Sequence, residues 1–119
     1  MTQSEISQAL KDLNGLVLQG KSMEAFKKYY HEEVVMQENE SVPTIGKEAN
    51  LQRELAFYDS ITEFRAAHPL KVAVGEDYSM VEWHYEYTHR EWGKKNYTQV
   101  SVQEWKDGKI IKEKFYYNN

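Results

Sequence analysis

A carboxylate late in the chain, Glu113, has a setting that could support acid-base chemistry. The run from Ile110 to Tyr117 alternates as a β-strand does, and one of its two faces carries Ile111, Glu113, Phe115 and Tyr117. An acid on such an apolar face is desolvated, and burial raises its pKa towards the range useful for proton transfer at neutral pH. Glu113 is therefore a candidate catalytic residue.

A structural ion pair is the alternative role for Glu113. A lysine, or Arg53 or Arg65 reaching in from another element, could neutralise the carboxylate. Lys112 and Lys114 point to the opposite face of the strand, and no arginine lies on it. We therefore expect Glu113 to lack a cationic partner.

Histidine and glutamate lie close together near the middle of the chain. His84, Glu86 and His89 form a ligand set that several metals accept. In a strand, however, His84 and His89 point to opposite faces, and the spacing matches no familiar zinc pattern. Pairing with nearby cations explains the acidic residues more simply, and the candidates are Lys94, Lys95 and Arg90. We predict neither a metal site nor a cofactor.

Four strand-like runs must position these residues. In the stretch from Tyr78 to Trp92 the predicted inner face carries Val81, Trp83, Tyr85 and Tyr87. A second alternating run spans 97–105, and Asp107-Gly108 supplies the positive φ of a tight hairpin before the run that carries Glu113. Thr62 to Val74 precedes them as an edge strand, because Pro69 cannot donate to a ladder. The pattern predicts an antiparallel meander.

Helical patterns occupy the first half of the chain. Thr2 and Glu5 have capping-box spacing at the start of a helix that ends at Gly20. Ser22 is a candidate cap for a short second helix. Gly46 starts a third helix, whose apolar side is predicted to carry Leu51, Leu55 and Tyr58. Between the last two helices, residues 34–37 have strand composition and lead into a polar loop from Glu38 to Thr44.

Length and composition set broad limits. The 119 residues are enough for a single domain, 1–119, and the absence of cysteine excludes disulfides and thiolate chemistry. A net charge of −4 argues against nucleic acid as a partner. No apolar run is long enough to cross a membrane, and the N-terminus lacks a signal-peptide pattern, so we expect a cytoplasmic protein without membrane contact. Aromatic residues make up 13 %, which suits a cavity wall or an interface.

Local sequence marks point to a known family. The marks are Tyr29-Tyr30-His31-Glu32-Glu33-Val34, Ile45-Gly46-Lys47-Glu48-Ala49, and Trp105 to Ile110 running into Phe115 to Asn118. Together with the order of elements they resemble the SnoaL-like branch of the nuclear transport factor 2-like superfamily. The resemblance implies an α+β cone, in which three helices pack in the concave side of a strongly curved, mostly antiparallel sheet. It also implies a pocket, and often a homodimer formed through the outer face of the sheet.

The same resemblance makes Glu38 a second candidate catalytic residue. In an ungapped comparison it falls where ketosteroid isomerases carry a catalytic aspartate. Their oxyanion-donating tyrosine has no counterpart in residues 10–18, and their protonated aspartate corresponds to about Ser101. A base without an oxyanion hole lacks the largest catalytic contribution, which disfavours steroid-type isomerisation. An exposed acid at a strand end is the alternative for Glu38.

The pattern and the resemblance disagree about one strand. Hydrophobicity places Thr98, Val100 and Val102 of the run 97–105 inside, whereas the family places the other face there. We follow the family, since a dimer would bury the valines and a pocket needs a few polar groups among aromatics. The predicted ligand-binding residues are Met36, Tyr58, Trp83, Tyr85, Tyr97, Ser101, Gln103, Phe115 and Tyr117. Trp83, Trp105, Phe115 and Leu55 are expected in the core or pocket wall.

Two functions of different class remain open. The first is a pocket that binds a small hydrophobic molecule without chemistry. The second is a cofactor-independent isomerase, dehydratase or cyclase, in which Glu113, with or without Glu38, moves a proton. The sequence contains no acid-base pair at a diagnostic spacing and no oxyanion donor pair, which favours the first.

Overall fold

The computed structural model describes residues 1–118. In chain order the elements are α1 (Gln3–Leu18), α2 (Ser22–Tyr29), β1 (Tyr30–Glu38), β2 (Thr44–Ile45), α3 (Lys47–Asp59), β3 (Ile61–Val74), β4 (Tyr78–His89), β5 (Gly93–Lys106) and β6 (Lys109–Tyr117). The sheet order is β2-β1-β6-β5-β4-β3, and within the described residues only β1 and β6 pair in parallel. The helices cover one face of this sheet. The predicted α+β class and the meander are confirmed.

The first two helices differ in how they begin. At α1, the Thr2 hydroxyl accepts from the Glu5 N–H and the Glu5 carboxylate accepts from the Thr2 N–H, which is the predicted capping box. At α2, Lys21 occupies the N-cap position and no side chain caps the helix. The predicted Ser22 cap is wrong, because Ser22 is already the first helical residue. Packing of Ala25 and Phe26 holds α2 in place instead.

One turn and one edge strand follow from local chemistry. Asp107 and Gly108 have φ values of 55° and 82°, as a two-residue hairpin requires. The long strand β3 is at the sheet edge, and its pairing with β4 shifts register just after Pro69, where the proline interrupts the ladder. Both predictions are confirmed.

A β-bulge changes the predicted alternation of β6. Ile110 pairs with Trp105 and Lys112 pairs with Glu104, so Ile111 is an extra residue. Ile110, expected on the outer face, is consequently fully buried. From Glu113 onwards the predicted inner face is correct.

The third helix is rotated from its predicted orientation. Asn50 is its buried residue, and its amide donates to the backbone oxygens of Gly46 and Thr44 at 2.8 and 3.0 Å. Leu55 is 43 % exposed and lies outside both the core and the pocket lining, so its prediction is wrong. The three polar bonds of one amide fix the helix more firmly than the weak apolar stripe does.

The core lies between the helices and the inner face of the sheet. Its buried members are Ile6, Leu10, Leu13, Ala25, Phe26, Tyr30, Val34, Met36, Val81, Trp83, Trp105 and Ile110. Phe115 packs against this cluster, which confirms the expectation for Trp83, Trp105 and Phe115. In the part of the chain that the structure describes, no helix has the length and apolar character needed to span a membrane.

Candidate functional site

A cavity of about 1530 Å³ lies between the three helices and the sheet. Its aromatic lining consists of Phe26, Tyr30, Phe57, Tyr58, Phe64, Trp83, Tyr85, Tyr87, Trp92, Tyr97, Phe115 and Tyr117. Buried polar groups lie at one end, which we call the inner end, and exposed side chains such as Phe64 and Trp92 form the mouth. A cavity with aromatic walls and few polar groups is typical of a small-molecule site.

The inner end is built from one row of residues across the sheet. Ser79 on β4 pairs with Gln103 on β5, and Gln103 pairs with Glu113 on β6. Glu113 in turn pairs with Met36 on β1. Because cross-strand partners project to the same face, three polar side chains are held side by side beneath the helices. All three are no more than 2 % exposed.

A chain of hydrogen bonds determines that the carboxylate of Glu113 acts as a hydrogen-bond acceptor. The indole N–H of Trp105 can only donate, and it donates to Ser79 Oγ at 2.9 Å. Ser79 then donates to Gln103 Oε1 at 2.6 Å, which leaves the Gln103 amide nitrogen to donate to Glu113 Oε2 at 2.8 Å. The Tyr30 hydroxyl donates to Glu113 Oε1. Both carboxylate oxygens are therefore acceptors.

Burial dominates the electrostatics of Glu113. Desolvation raises its pKa to about 7, although the hydrogen bonds from Tyr30 and Gln103 oppose that rise. No lysine or arginine among residues 1–118 forms an ion pair with it. Arg53 pairs with Glu38 and Arg65 with Glu63. The expected absence of a cationic partner agrees with this geometry, which leaves Glu113 able to exchange a proton near neutral pH.

A second pocket carboxylate, Glu54 on α3, was missed by the sequence reasoning. Its pKa is raised to about 7, mainly by desolvation and then by the charges of Glu113 and Glu38, while the charge of Arg53 lowers it. Its accessible surface faces the cavity. A signal was present, since Glu54 follows Leu51 by three residues and precedes Tyr58 by four, so it interrupts the apolar side of a helix as Glu113 interrupts that of a strand.

Glu38 lies at the end of β1, where it pairs with Phe115. Its carboxylate accepts from Arg53 Nη2 at 3.0 Å, and both side chains are about half exposed. It contributes to the cavity lining without being enclosed. Glu38 therefore has features of both predicted roles. It lines the pocket, and it is also half of a solvent-exposed ion pair.

The predicted ligand-binding residues line the cavity with one exception. Met36 is not part of the cavity lining, because its side chain is packed in the buried core. The remaining predicted residues form part of the wall. On β5 the inner face carries Ser101 and Gln103, so the family-based expectation is correct and the hydrophobicity pattern is wrong.

The histidine-rich stretch of β4 does not assemble a ligand set. No group of three histidine or acidic side chains within residues 1–118 is arranged to hold a metal ion. His89 is buried and stacks on Trp92 at 3.7 Å. The predicted ion pairs of this stretch are also wrong, since Glu86 accepts from Asn96 at 3.0 Å and Arg90 pairs with Asp59. These side chains serve strand pairing and the β4–β5 turn.

Comparisons with known proteins agree with this fold. The SnoaL-like domain family matches residues 1–117, and the chain belongs to that family. A candidate SnoaL-like polyketide cyclase from Mesorhizobium loti is 26 % identical with a TM-score of 0.86, over 98 % of this chain and 100 % of the other. A candidate isomerase from Bacillus subtilis is 19 % identical with a TM-score of 0.78, over 99 % and 90 %. No curated protein sequence is significantly similar.

Proposed function

We propose that this protein binds a small, mostly apolar molecule in the cavity between its helices and sheet. The observation that carries the proposal is an aromatic-walled cavity whose inner end is a buried carboxylate held by a directed chain of donors. Aromatic walls supply apolar contact area, and the polar inner end fixes the orientation of the ligand. A purely structural core would fill this space with side chains.

Binding is tested by placing a large side chain on the inner face of β5, where it enters the cavity, and for comparison on the outer face, where it does not. Gln99 lines the cavity and is the cross-strand partner of Trp83. Its neighbour Thr98 is exposed on the outer face. We expect Gln99→Trp to remove any small molecule that native mass spectrometry detects on the purified protein, and to lower the hits of a fragment screen by ligand-observed NMR. Thr98→Trp is the matched control and should leave both unchanged. Equal loss in both variants, or no binding by the wild type, would contradict the proposal.

A second candidate function is proton transfer on the bound molecule. The specific support is that Glu113 combines a pKa of about 7 with full burial beside an aromatic cavity. As a cofactor-independent isomerase, dehydratase or cyclase, the protein would use Glu113 as the base, and Glu38 or Glu54 as a further acid. Deuterium exchange at carbon in a bound carbonyl compound is the measurement. Glu113→Gln should abolish exchange and retain binding; exchange that persists would exclude this role.

We also propose that the outer face of the sheet forms a homodimer. Val100 pairs with Tyr116 and Val102 with Met80, so these four side chains share the outer face, where Met80 and Tyr116 are exposed. Such a patch is larger than isolated surface apolar residues, and a two-fold contact would cover it. Sedimentation at about 50 µM should give about twice 14.1 kDa. Val100→Lys should give monomers, and a wild-type monomer would refute the proposal.

A further inference from the structure

The charged groups of the cavity are distributed unevenly between its two ends. Lys95 lies eight positions before Gln103 on β5, a separation of about 26 Å along an extended strand. Arg65 donates to Thr88 at 2.8 Å, at the same end of the sheet as Lys95. Lys21 is exposed in the connection between α1 and α2. The cations of the described lining therefore lie at the mouth, away from the carboxylate in the central row.

Glu54 is a half-buried acceptor that lines the cavity and has no donor within residues 1–118. No hydrogen bond or ion pair within residues 1–118 engages its carboxylate, and the cation that influences it, Arg53, is exposed and bonded to Glu38. A carboxylate in this situation gains most from a donor that arrives with a ligand, because an unpaired charge is costly away from water.

Glu113 is a second acceptor in the cavity, and its hydrogen bonds within the protein fix its role as an acceptor. Since the chain from Trp105 through Ser79 makes Gln103 donate to Glu113, the remaining lone pairs of this carboxylate are available for donors only. Glu54 and Glu113 line the same cavity, and the charge of Glu113 raises the pKa of Glu54. A ligand that carries its own carboxylate there would add a third negative charge.

Aromatic rings line the same cavity as these two acceptors. Trp83 and Tyr85 are stacked with centroids 5.6 Å apart, and Tyr85 and Tyr97 are 6.0 Å apart. The Tyr58 ring also lines the cavity, and its hydroxyl is close enough to be influenced by the charge of Glu54. The negative face of an aromatic ring attracts organic cations, most strongly in tryptophan and in desolvated sites.

We propose that the ligand of this pocket is an organic amine with an apolar, ring-sized body, whose ammonium group is held between Glu54 and Glu113 and against the Trp83 and Tyr85 rings. The inference rests on the proposed binding function and narrows it to one chemical class. The ammonium donates to Glu54, which has no other donor among the described residues, and to the free lone pairs of Glu113. The apolar body extends along the aromatic wall towards the mouth.

The experiment compares three ligands that share one body. The probes are 2-naphthylmethylamine, 2-naphthylmethanol and 2-naphthoate, titrated at pH 8 and followed by calorimetry and tryptophan fluorescence. At this pH the amine is protonated and both carboxyl groups are mainly ionised. We expect the amine to bind at least about tenfold more tightly than the alcohol, and the carboxylate to bind most weakly.

Variants on α3 separate a specific contact from a general charge effect. Glu54→Gln should weaken the amine about tenfold or more and leave the alcohol within about twofold. Glu48→Gln is the matched control. Glu48 is exposed on the same helix, and its substitution removes the same charge. It should change neither affinity. Thermal melts of each variant verify that the fold is retained.

The outcomes distinguish failure of this inference from failure of the binding function. If the alcohol or the carboxylate binds as tightly as the amine, the pocket function stands and the amine class is wrong. The same conclusion follows if Glu48→Gln weakens the amine as much as Glu54→Gln. Absence of binding by all three probes would count against the binding function and this inference together.

Discussion

The two walls that carry the pocket carboxylates are constructed differently. Glu113 lies on β6, between β1 and β5, and both of its oxygens accept hydrogen bonds from buried donors. Glu54 lies on α3, and within Lys47–Asp59 only Asn50 is buried. The sheet wall is therefore a rigid, fully bonded platform, whereas the helix wall is held by few contacts. A site with one fixed and one adaptable wall can keep its polar end constant while it accommodates different ligand bodies.

The largest effect should follow from breaking the donor chain of the sheet wall. Gln103→Leu removes the donor to Glu113 Oε2 and the acceptor of the Ser79 hydroxyl. Since both groups remain buried, we expect a loss of about 3 kcal/mol in the free energy of unfolding. Urea denaturation at pH 7 measures it. Gln52→Leu on the exposed side of α3 is the control and should cost less than about 0.5 kcal/mol; similar costs for both would mean that the two walls do not differ.

The next effect is a pH dependence that both walls share. Glu54 and Glu113 have folded-state pKa values of about 7, raised above the ordinary value of 4.5. The folded protein therefore binds more protons than the unfolded chain between these values, and stability falls as pH rises from about 4.5 to about 7. We expect each of the two groups to contribute a loss on the order of 2 kcal/mol over this interval.

Comparison with a double variant isolates these two groups. In Glu54→Gln/Glu113→Gln, the difference in stability between pH 5 and pH 8 should be smaller by the sum of the two contributions, because the other titrating groups are common to both proteins. Single variants then divide the effect between the sheet wall and the helix wall. An unchanged pH profile in the double variant would contradict the assigned pKa shifts.

A smaller effect should come from the tyrosine that closes the sheet wall. Tyr30→Phe removes the donor to Glu113 Oε1 and leaves the ring stacked on Phe26 at 4.6 Å. We expect a cost of about 1 kcal/mol, because one oxygen of Glu113 keeps its donor. Tyr29→Phe is the neighbouring control, since its hydroxyl bonds to the partly exposed Asp12. Equal costs in thermal melts would indicate that burial of Glu113 does not amplify the loss.

The smallest effect is expected on the helix wall. Leu55→Ala should cost less than about 0.5 kcal/mol, because its side chain is 43 % exposed and outside the core. Leu10→Ala, at 2 % exposure in α1, should cost about 3 kcal/mol. Denaturant melts of both variants measure the contrast. A large cost for Leu55→Ala would mean that α3 packs more tightly than described.

The sequence predicts the sheet wall better than the helix wall for a physical reason. Strand alternation has a period of two, so Trp83 and Glu113 could be assigned to a face with little error. The bulge at Ile111 was not predictable, since it arises from cross-strand register and not from local residue type. Alternation places Met36 on the inner face correctly, but it does not distinguish a core residue from one that lines the cavity, and Met36 lies in the core.

The helix wall was mispredicted because its orientation depends on polar contacts. Leu51 and Leu55 suggested an apolar stripe, but the amide of Asn50 bonds to three backbone oxygens and rotates the helix towards them. Glu54 therefore faces the cavity. From the sequence alone, an acidic residue on a helix is expected to be exposed to solvent, so this position was not predicted. The directed chain that ends at Glu113 was also not predictable, since it joins residues on three strands.

The bond between Tyr30 and Glu113 also has a consequence for the order of folding. It joins residues 83 positions apart across the parallel β1–β6 pair, which no hairpin can close. Contacts of such sequence separation form slowly, because the entropy of the intervening chain is lost before they are made. During synthesis, Tyr30 and the helices emerge while β6 does not yet exist. The polar end of the pocket is thus one of the last parts to assemble, and a ligand can stabilise only chains that have already passed the slow step.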